Sequence, residues 1–158
     1  MQGMLMWGLL SVARADNPFR IEVTGVNIEA NQTGNIKVLF VVPEGFHLYQ
    51  DMMTVTPSPM TELQFSEPQF PIGHLTKDPA NPEQMRMVFD STIEVMVPVS
   101  TSVNGQYEPH FEIRYQGCKD TLCYMPATEN ISTWVHVGPK EAESSKKEDS
   151  CWFCFWNW

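Results

Sequence analysis

Strict alternation of apolar and polar residues recurs through the middle of this chain, and no other feature narrows its fold as far. In YEPHFEIRY, Tyr107, Pro109, Phe111, Ile113 and Tyr115 share one parity, and Glu108, His110, Glu112 and Arg114 share the other. A strand presents successive side chains to opposite faces, so this run reads as a half-buried strand. TIEVMVPVS aligns Ile93, Val95, Val97 and Val99 in the same way, and NIKVLFVVP aligns Ile36, Val38, Phe40 and Val42. FRIEVTGVNIE aligns Phe19, Ile21 and Val23, and STWVHV sets Thr133, Val135 and Val137 against Trp134 and His136. No window of eleven or more residues carries a helical stripe.

Turn chemistry separates the runs. NQTGN (31–35) and PEGF (43–46) break the chain early, and SVNGQ (102–106) carries an Asn-Gly pair suited to a tight hairpin. Six to eight short strands between Asp16 and Val137 make the expected fold all-β, an immunoglobulin-like antiparallel β-sandwich, with a barrel as the alternative. GHLTKDPANPEQM (73–85) shows no alternation and holds two prolines, so it is expected to be a long exposed loop.

The chain of 158 residues has room for one such domain, assigned here to 16–138, with short appendages. MQGMLMWGLLSVARA reads as a secretory leader over 1–15: an apolar stretch from Met4 to Leu10, then the small residues Ala13 and Ala15 around Arg14. The leader is short, and no Lys or Arg precedes its apolar stretch. Export implies an oxidising compartment in which disulfides form. Residues 139–150 are charged and Ser-rich and read as a linker. CWFCFWNW (151–158) reads as an interfacial aromatic patch opening a truncated membrane segment, or as a tail foreign to the domain. The spacing of Cys151 and Cys154 matches a thioredoxin motif, but the βαβ context of that motif is missing. A net charge of −9 argues against nucleic acid and gives no handle for anionic lipid.

YQGCKDTLCYMP (115–126) carries the chemistry. Cys118 and Cys123 sit near a hairpin tip, and four intervening residues let their Cα atoms approach to about 5–6 Å, as a disulfide requires. So small a ring stabilises by only about 2 kcal/mol. A working dithiol needs one sulfur within a partner's reach and neighbours that limit indiscriminate exchange. Lys119 favours a thiolate, Asp120 opposes it, and Tyr115 and Tyr124 are placed to flank the sulfurs. These residues alone leave both a static clip and a working pair open.

GFHLYQDMMTVTP (45–57), VMVPVS and YQGCKDTLCYMP together resemble the family of DsbD N-terminal periplasmic domains, from about Ile21 to Val137. That resemblance implies an immunoglobulin-like fold and a protein-disulfide reductase acting as one domain of a relay. Electrons would arrive from an upstream thioredoxin-like domain through a membrane domain. They would leave to periplasmic thioredoxin-fold partners, such as a disulfide isomerase or a cytochrome c maturation thioredoxin. It implies a periplasmic location tethered to the inner membrane and no cofactor beyond the redox-active pair. Cys123 would form the mixed disulfide and Cys118 would resolve it. Tyr49 falls where the family has an active-site tyrosine, and His47 where a second tyrosine is frequent. The family's shielding loop corresponds to 73–90, where Phe89 is the nearest aromatic and Met85 or Met87 is suited to cover a sulfur. Two other readings remain: an extracytoplasmic binding module with a structural disulfide, and a periplasmic copper carrier using Met52, Met53, Met85, Met87, His47 and His110. No ligand spacing repeats, so the expected metal set is none.

Overall fold

In the computed structural model, residues 17–78 and 81–139 are described. The leader reading of 1–15, the linker beyond 139 and the aromatic tail lie outside them. The described residues form four hydrogen-bonded sheets. The first runs in the order β1 (Arg20–Thr24), β3 (Thr33–Val41), β9 (Ile93–Ser100), β6 (Gln64–Phe65). The second is β10 (Gly105–Tyr107), β15 (Val135–Val137), β2 (Val26–Ile28), and the third is β14 (Ala127–Ser132), β11 (His110–Tyr115), β5 (Thr54–Pro57). The fourth is β13 (Leu122–Cys123), β12 (Gly117–Lys119), β4 (Phe46–Tyr49), β8 (Met85–Phe89), β7 (His74–Lys77). Every pairing between strands is antiparallel except that of β15 with β2. The architecture is all-β and immunoglobulin-like, as the alternation predicts.

The core follows the predicted parity. Val38 faces Val95 and Ile36 faces Val97 across β3 and β9. These four residues, with Phe40, Val99, Phe111 and Ile113, are completely buried. Each such side chain contributes about 1.5–3 kcal/mol on leaving water. The partition into strands is finer than the sequence suggests, with fifteen segments where six to eight are expected. FRIEVTGVNIE is broken at Gly25, where the chain leaves the first sheet for the second. A Cβ there would lie 2.2 Å from the Trp134 carbonyl oxygen, so only glycine passes beneath that residue. YEPHFEIRY is broken at Glu108-Pro109, since proline has no N–H to give a ladder, and β10 and β11 join different sheets.

The expected exposed loop at 73–85 is instead the start of a paired arm. His74 opposes Val88, Leu75 opposes Met87, Thr76 opposes Arg86 and Lys77 opposes Met85. Through β8 the arm joins β4, with Leu48 opposite Phe89 and Tyr49 opposite Val88. Pro82, one of the two prolines that signalled a loop, falls between the two strands rather than in them.

Candidate functional site

β12 ends in a turn tighter than spacing alone implies. Cys118 directly opposes Cys123 and Lys119 opposes Leu122, leaving Asp120 and Thr121 as a two-residue connection. Asp120 has φ 50°, in the left-handed region that a short polar side chain tolerates. The two sulfurs are bonded, and the Cα atoms lie 4.0 Å apart. They stand closer than the about 5–6 Å expected of a loosely looped pair, because they are direct cross-strand partners.

The sheet carrying this hairpin has two faces with different duties. Gly117, Leu48 and Phe89 align on one, opposite each other across β12, β4 and β8. Cys123, Cys118 and His47 align on the other, with Tyr49 and Val88 one pleat along. The first face packs into the main core. The second supports a small cluster of its own, in which Tyr49, Val88 and Cys118 are buried and Cys123 packs against them. Gly117 is what lets the sheet settle on that core. A Cβ there would meet Phe19 Cζ at 2.3 Å and the His47 carbonyl oxygen at 2.5 Å.

This parity sorts the residues nominated from sequence. Phe89 is in the main core, Met87 shares its side of β8, and Met85 is 52% exposed at the far end. Val88 and Arg86, of the opposite parity, face the sulfurs. Tyr115 is buried in the main core, its ring edge-on to Phe19 and Phe40. Its hydroxyl is held by Asn17 and Glu129, and burial first, then Glu129, pushes its pKa up. Tyr124 is half-buried against Phe19 and Phe46. Both tyrosines thus brace the hairpin from the core side. The Lys119 ammonium lies 5.1 Å over the Phe46 ring.

Tyr49 stands at the centre of the sulfur cluster. Its hydroxyl oxygen is 3.1 Å from Cys118 Sγ and 3.6 Å from Cys123 Sγ, and it donates to Asp78 Oδ1 at 3.0 Å. With its one proton aimed at Asp78, the phenol turns lone pairs toward the sulfurs, ready to accept from a thiol. Burial first, then the hydrogen bond and charge of Asp78, pushes the phenol up to about 12, so it stays neutral near pH 7. Asp78 is only 5% exposed. Arg86 lies flat on the other side, its Cζ 3.8 Å from the Tyr49 ring centre. Its Nη2 is 2.6 Å from each carboxylate oxygen of Asp51, and its Nη1 is 3.7 Å from Asp78 Oδ2. Asp78, Arg86 and Val88 are site residues that sequence reasoning missed. The signal available was the parity of MRMVF, which reads only once the segment is known to be a strand.

His47 opposes Cys118, and its ring meets Tyr49 edge-on at 5.4 Å. Its Nε2 is buried without a hydrogen-bond partner among the described residues. Burial lowers its pKa, against Asp78, Asp90 and Asp120 and together with His74. It lines a cavity of about 370 Å³ shared with His74, Thr76, Lys77, Val88 and Asp90.

The two cysteines differ in burial. Cys118 is 0% exposed, whereas Cys123 is partly exposed at the rim. Among the described residues, no group of three or more His, Cys, Asp or Glu is gathered as a metal site, and no helix is long and apolar enough to cross a membrane. His110, nominated for copper, is in a different sheet from His47, Met85 and Met87.

A family model described as thiol:disulfide interchange protein DsbD, N-terminal, matches residues 15–134. No curated protein matches the chain directly. Among solved structures, the DsbD N-terminal domain of Neisseria meningitidis in the reduced form is similar with a TM-score of 0.54 and 22% identity, covering 72% of this chain and 82% of that one. The Neisseria meningitidis structure of the complex between the DsbD N-terminal and PilB N-terminal domains gives a TM-score of 0.56 at 20% identity, covering 77% and 87%. At such identities the two structures speak for the fold.

Proposed function

The chain belongs to the family of DsbD N-terminal thiol:disulfide interchange domains, and from that premise we propose that Cys118 and Cys123 are a working dithiol that reduces disulfides of periplasmic partners. One observation supports this above the rest: a bonded sulfur pair, one member buried and one at the rim, with both sulfurs turned to one buried phenol.

In the reduced state the Cys123 thiolate attacks a partner disulfide. The partner's S–S bond breaks, one partner sulfur leaves as thiolate and takes a proton, and Cys123 is left in a mixed disulfide. Cys118 then attacks Cys123 Sγ, the mixed bond breaks, and the second partner sulfur leaves with the electron pair. Two electrons have passed to the partner, and this chain returns to the bonded state.

The buried Cys118 thiol must lose a proton for that second step, and burial opposes the thiolate. Tyr49 serves as a conduit. Its oxygen accepts the Cys118 proton as its own proton passes to Asp78, so the phenol never becomes a phenolate. That suits a group whose pKa is pushed up to about 12. His47 lies beside the pair as an uncharged flank, and Val88 closes the cluster against water.

As one domain of a larger relay, the chain acts as a protein-disulfide reductase recharged by an upstream thioredoxin-like module. Its partners are thioredoxin-fold proteins, a disulfide isomerase and a cytochrome c maturation thioredoxin among them. The solved complex of a DsbD N-terminal domain with a PilB N-terminal domain supports a protein partner docking on this fold. A periplasmic location at the inner membrane accords with the family.

Trapping tests the reading. Reduced Cys118→Ser, mixed with an oxidised thioredoxin-fold partner, should accumulate a mixed disulfide through Cys123 on a non-reducing gel, and Cys123→Ser should not. A reduction potential below about −300 mV would mark a resistant structural bond and end the proposal.

A further inference from the structure

Arg86 has no part in the exchange steps above, yet it touches three groups at the site. Its guanidinium covers the Tyr49 ring at 3.8 Å, grips Asp51 through two 2.6 Å contacts and approaches Asp78 Oδ2 at 3.7 Å. The Asp51 pair by itself accounts for little. Asp51 is largely exposed, and ion pairs open to water stabilise by about 0–1 kcal/mol. What the pair does is fix a plane. Asp51 belongs to the 3-10 turn Gln50–Met52 directly after Tyr49, so the grip spans from β8 back to the strand end that carries the phenol. The guanidinium is thereby pinned on the ring while its other nitrogen faces the carboxylate that receives the phenol's proton.

Resting on the exchange reading above, we propose that Arg86 is a positioning residue for the resolving step: it holds the Tyr49 hydroxyl between Cys118 and Asp78 and sets a fixed positive charge beside the carboxylate that receives the proton. Among the described residues, the charged and titratable groups near Asp78 include Tyr49 and His47 from β4, Asp51 from the turn, Arg86 from β8 and its own neighbour Lys77. Arg86 brings its charge within 4 Å of the carboxylate. A lysine reproduces the charge but neither the flat stack nor the reach of two nitrogens to Asp51 and Asp78 at once, because an ammonium is a compact point charge.

The reaction of the reduced chain with 5,5′-dithiobis(2-nitrobenzoate) separates the steps. Cys123 attack releases one thionitrobenzoate, and Cys118 attack on the resulting mixed disulfide releases the second. In Arg86→Met the first phase keeps its rate. The second slows on the order of tenfold, short of the roughly 10²–10⁴ lost when a proton acceptor is removed outright. Its acidic limb moves to higher pH, because a carboxylate that loses a neighbouring cation protonates more readily. In an Asp78→Asn background, Arg86→Met causes no further slowing, as residues acting through one another are not additive. Arg86→Lys changes the second phase in the same direction by a smaller factor, and it carries the test if far-ultraviolet circular dichroism shows Arg86→Met to be unfolded. A folded variant with the parent's second phase and an unshifted profile would overturn the role, as would equal slowing of both phases or full additivity with Asp78→Asn. A parent chain that releases no thionitrobenzoate would sink the exchange reading itself, and this role with it.

Discussion

The hydroxyl oxygen of Tyr49 lies 3.1 Å from Cys118 Sγ while donating its proton to Asp78. The phenol is thus fixed at both ends, its ring under Arg86 and its oxygen between a sulfur and a carboxylate. A buried sulfur and a buried carboxylate are joined through one neutral oxygen.

Tyr49→Phe keeps the ring and its stacking but removes the junction. The release of a mixed disulfide by Cys118 should slow by about 10² or more, the scale of one positioned proton-transfer group. Stability should fall by about 1–3 kcal/mol, since Asp78 loses a buried donor. Stopped-flow kinetics and urea unfolding of the same preparation check both numbers.

The difference in burial predicts an order of modification. After reduction, iodoacetamide should alkylate Cys123 well before Cys118, because only the former reaches the rim. Peptide mapping at short reaction times reads this directly. Equal labelling, or prior labelling of Cys118, would reverse the assigned roles.

Gly117→Ala places a methyl against the Phe19 ring and the His47 carbonyl, and the latter is backbone that cannot move aside. The cost should be about 1–3 kcal/mol or more, as for other overpacked sites. Because Gly117 faces the main core, denaturant midpoints should drop in the bonded and reduced states alike. A loss confined to one state would place the clash elsewhere.

His47 makes stability depend on pH in a defined sense. Its folded pKa is lowered from 6.5, so the unfolded chain binds a proton more readily than the folded one. Its contribution is complete above the unfolded value of 6.5, declines as pH falls below it, and stops changing once pH passes under the lowered folded value. His47→Gln should flatten that part of the curve. Urea midpoints of parent and variant between pH 5 and about 7.5 test it, and parallel curves would remove His47 from the account.

The alternation of β3, β9 and β11 was legible because one face of each strand meets a core and the other meets water. Ile36, Val38, Val95, Val97, Phe111 and Ile113 are buried where parity puts them. Strand breaks were harder to see. Gly25 and Pro109 keep the parity intact while moving the chain to another sheet, so the pattern reads straight across them. The arm 74–89 was the larger miss. Both faces of β8 are partly covered, one by core and one by the sulfur cluster, so MRMVF lacks a clean polar side. A segment with the composition of a loop gives its parity no meaning. The nominations therefore fell on Met85, Met87 and Phe89, one face away from Arg86 and Val88. Tyr49 and the cysteines were found because their local motifs are distinctive, whereas Asp78 reaches the site only through pairing that residue spacing does not encode.

The sulfurs keep company with Tyr49 and Val88 in a nest apart from the sandwich interior, with a single sheet between them. Parting the bond therefore empties no space in the frame. On the exchange reading proposed above, the bond can open and close while the packing that holds the domain together stays as it is.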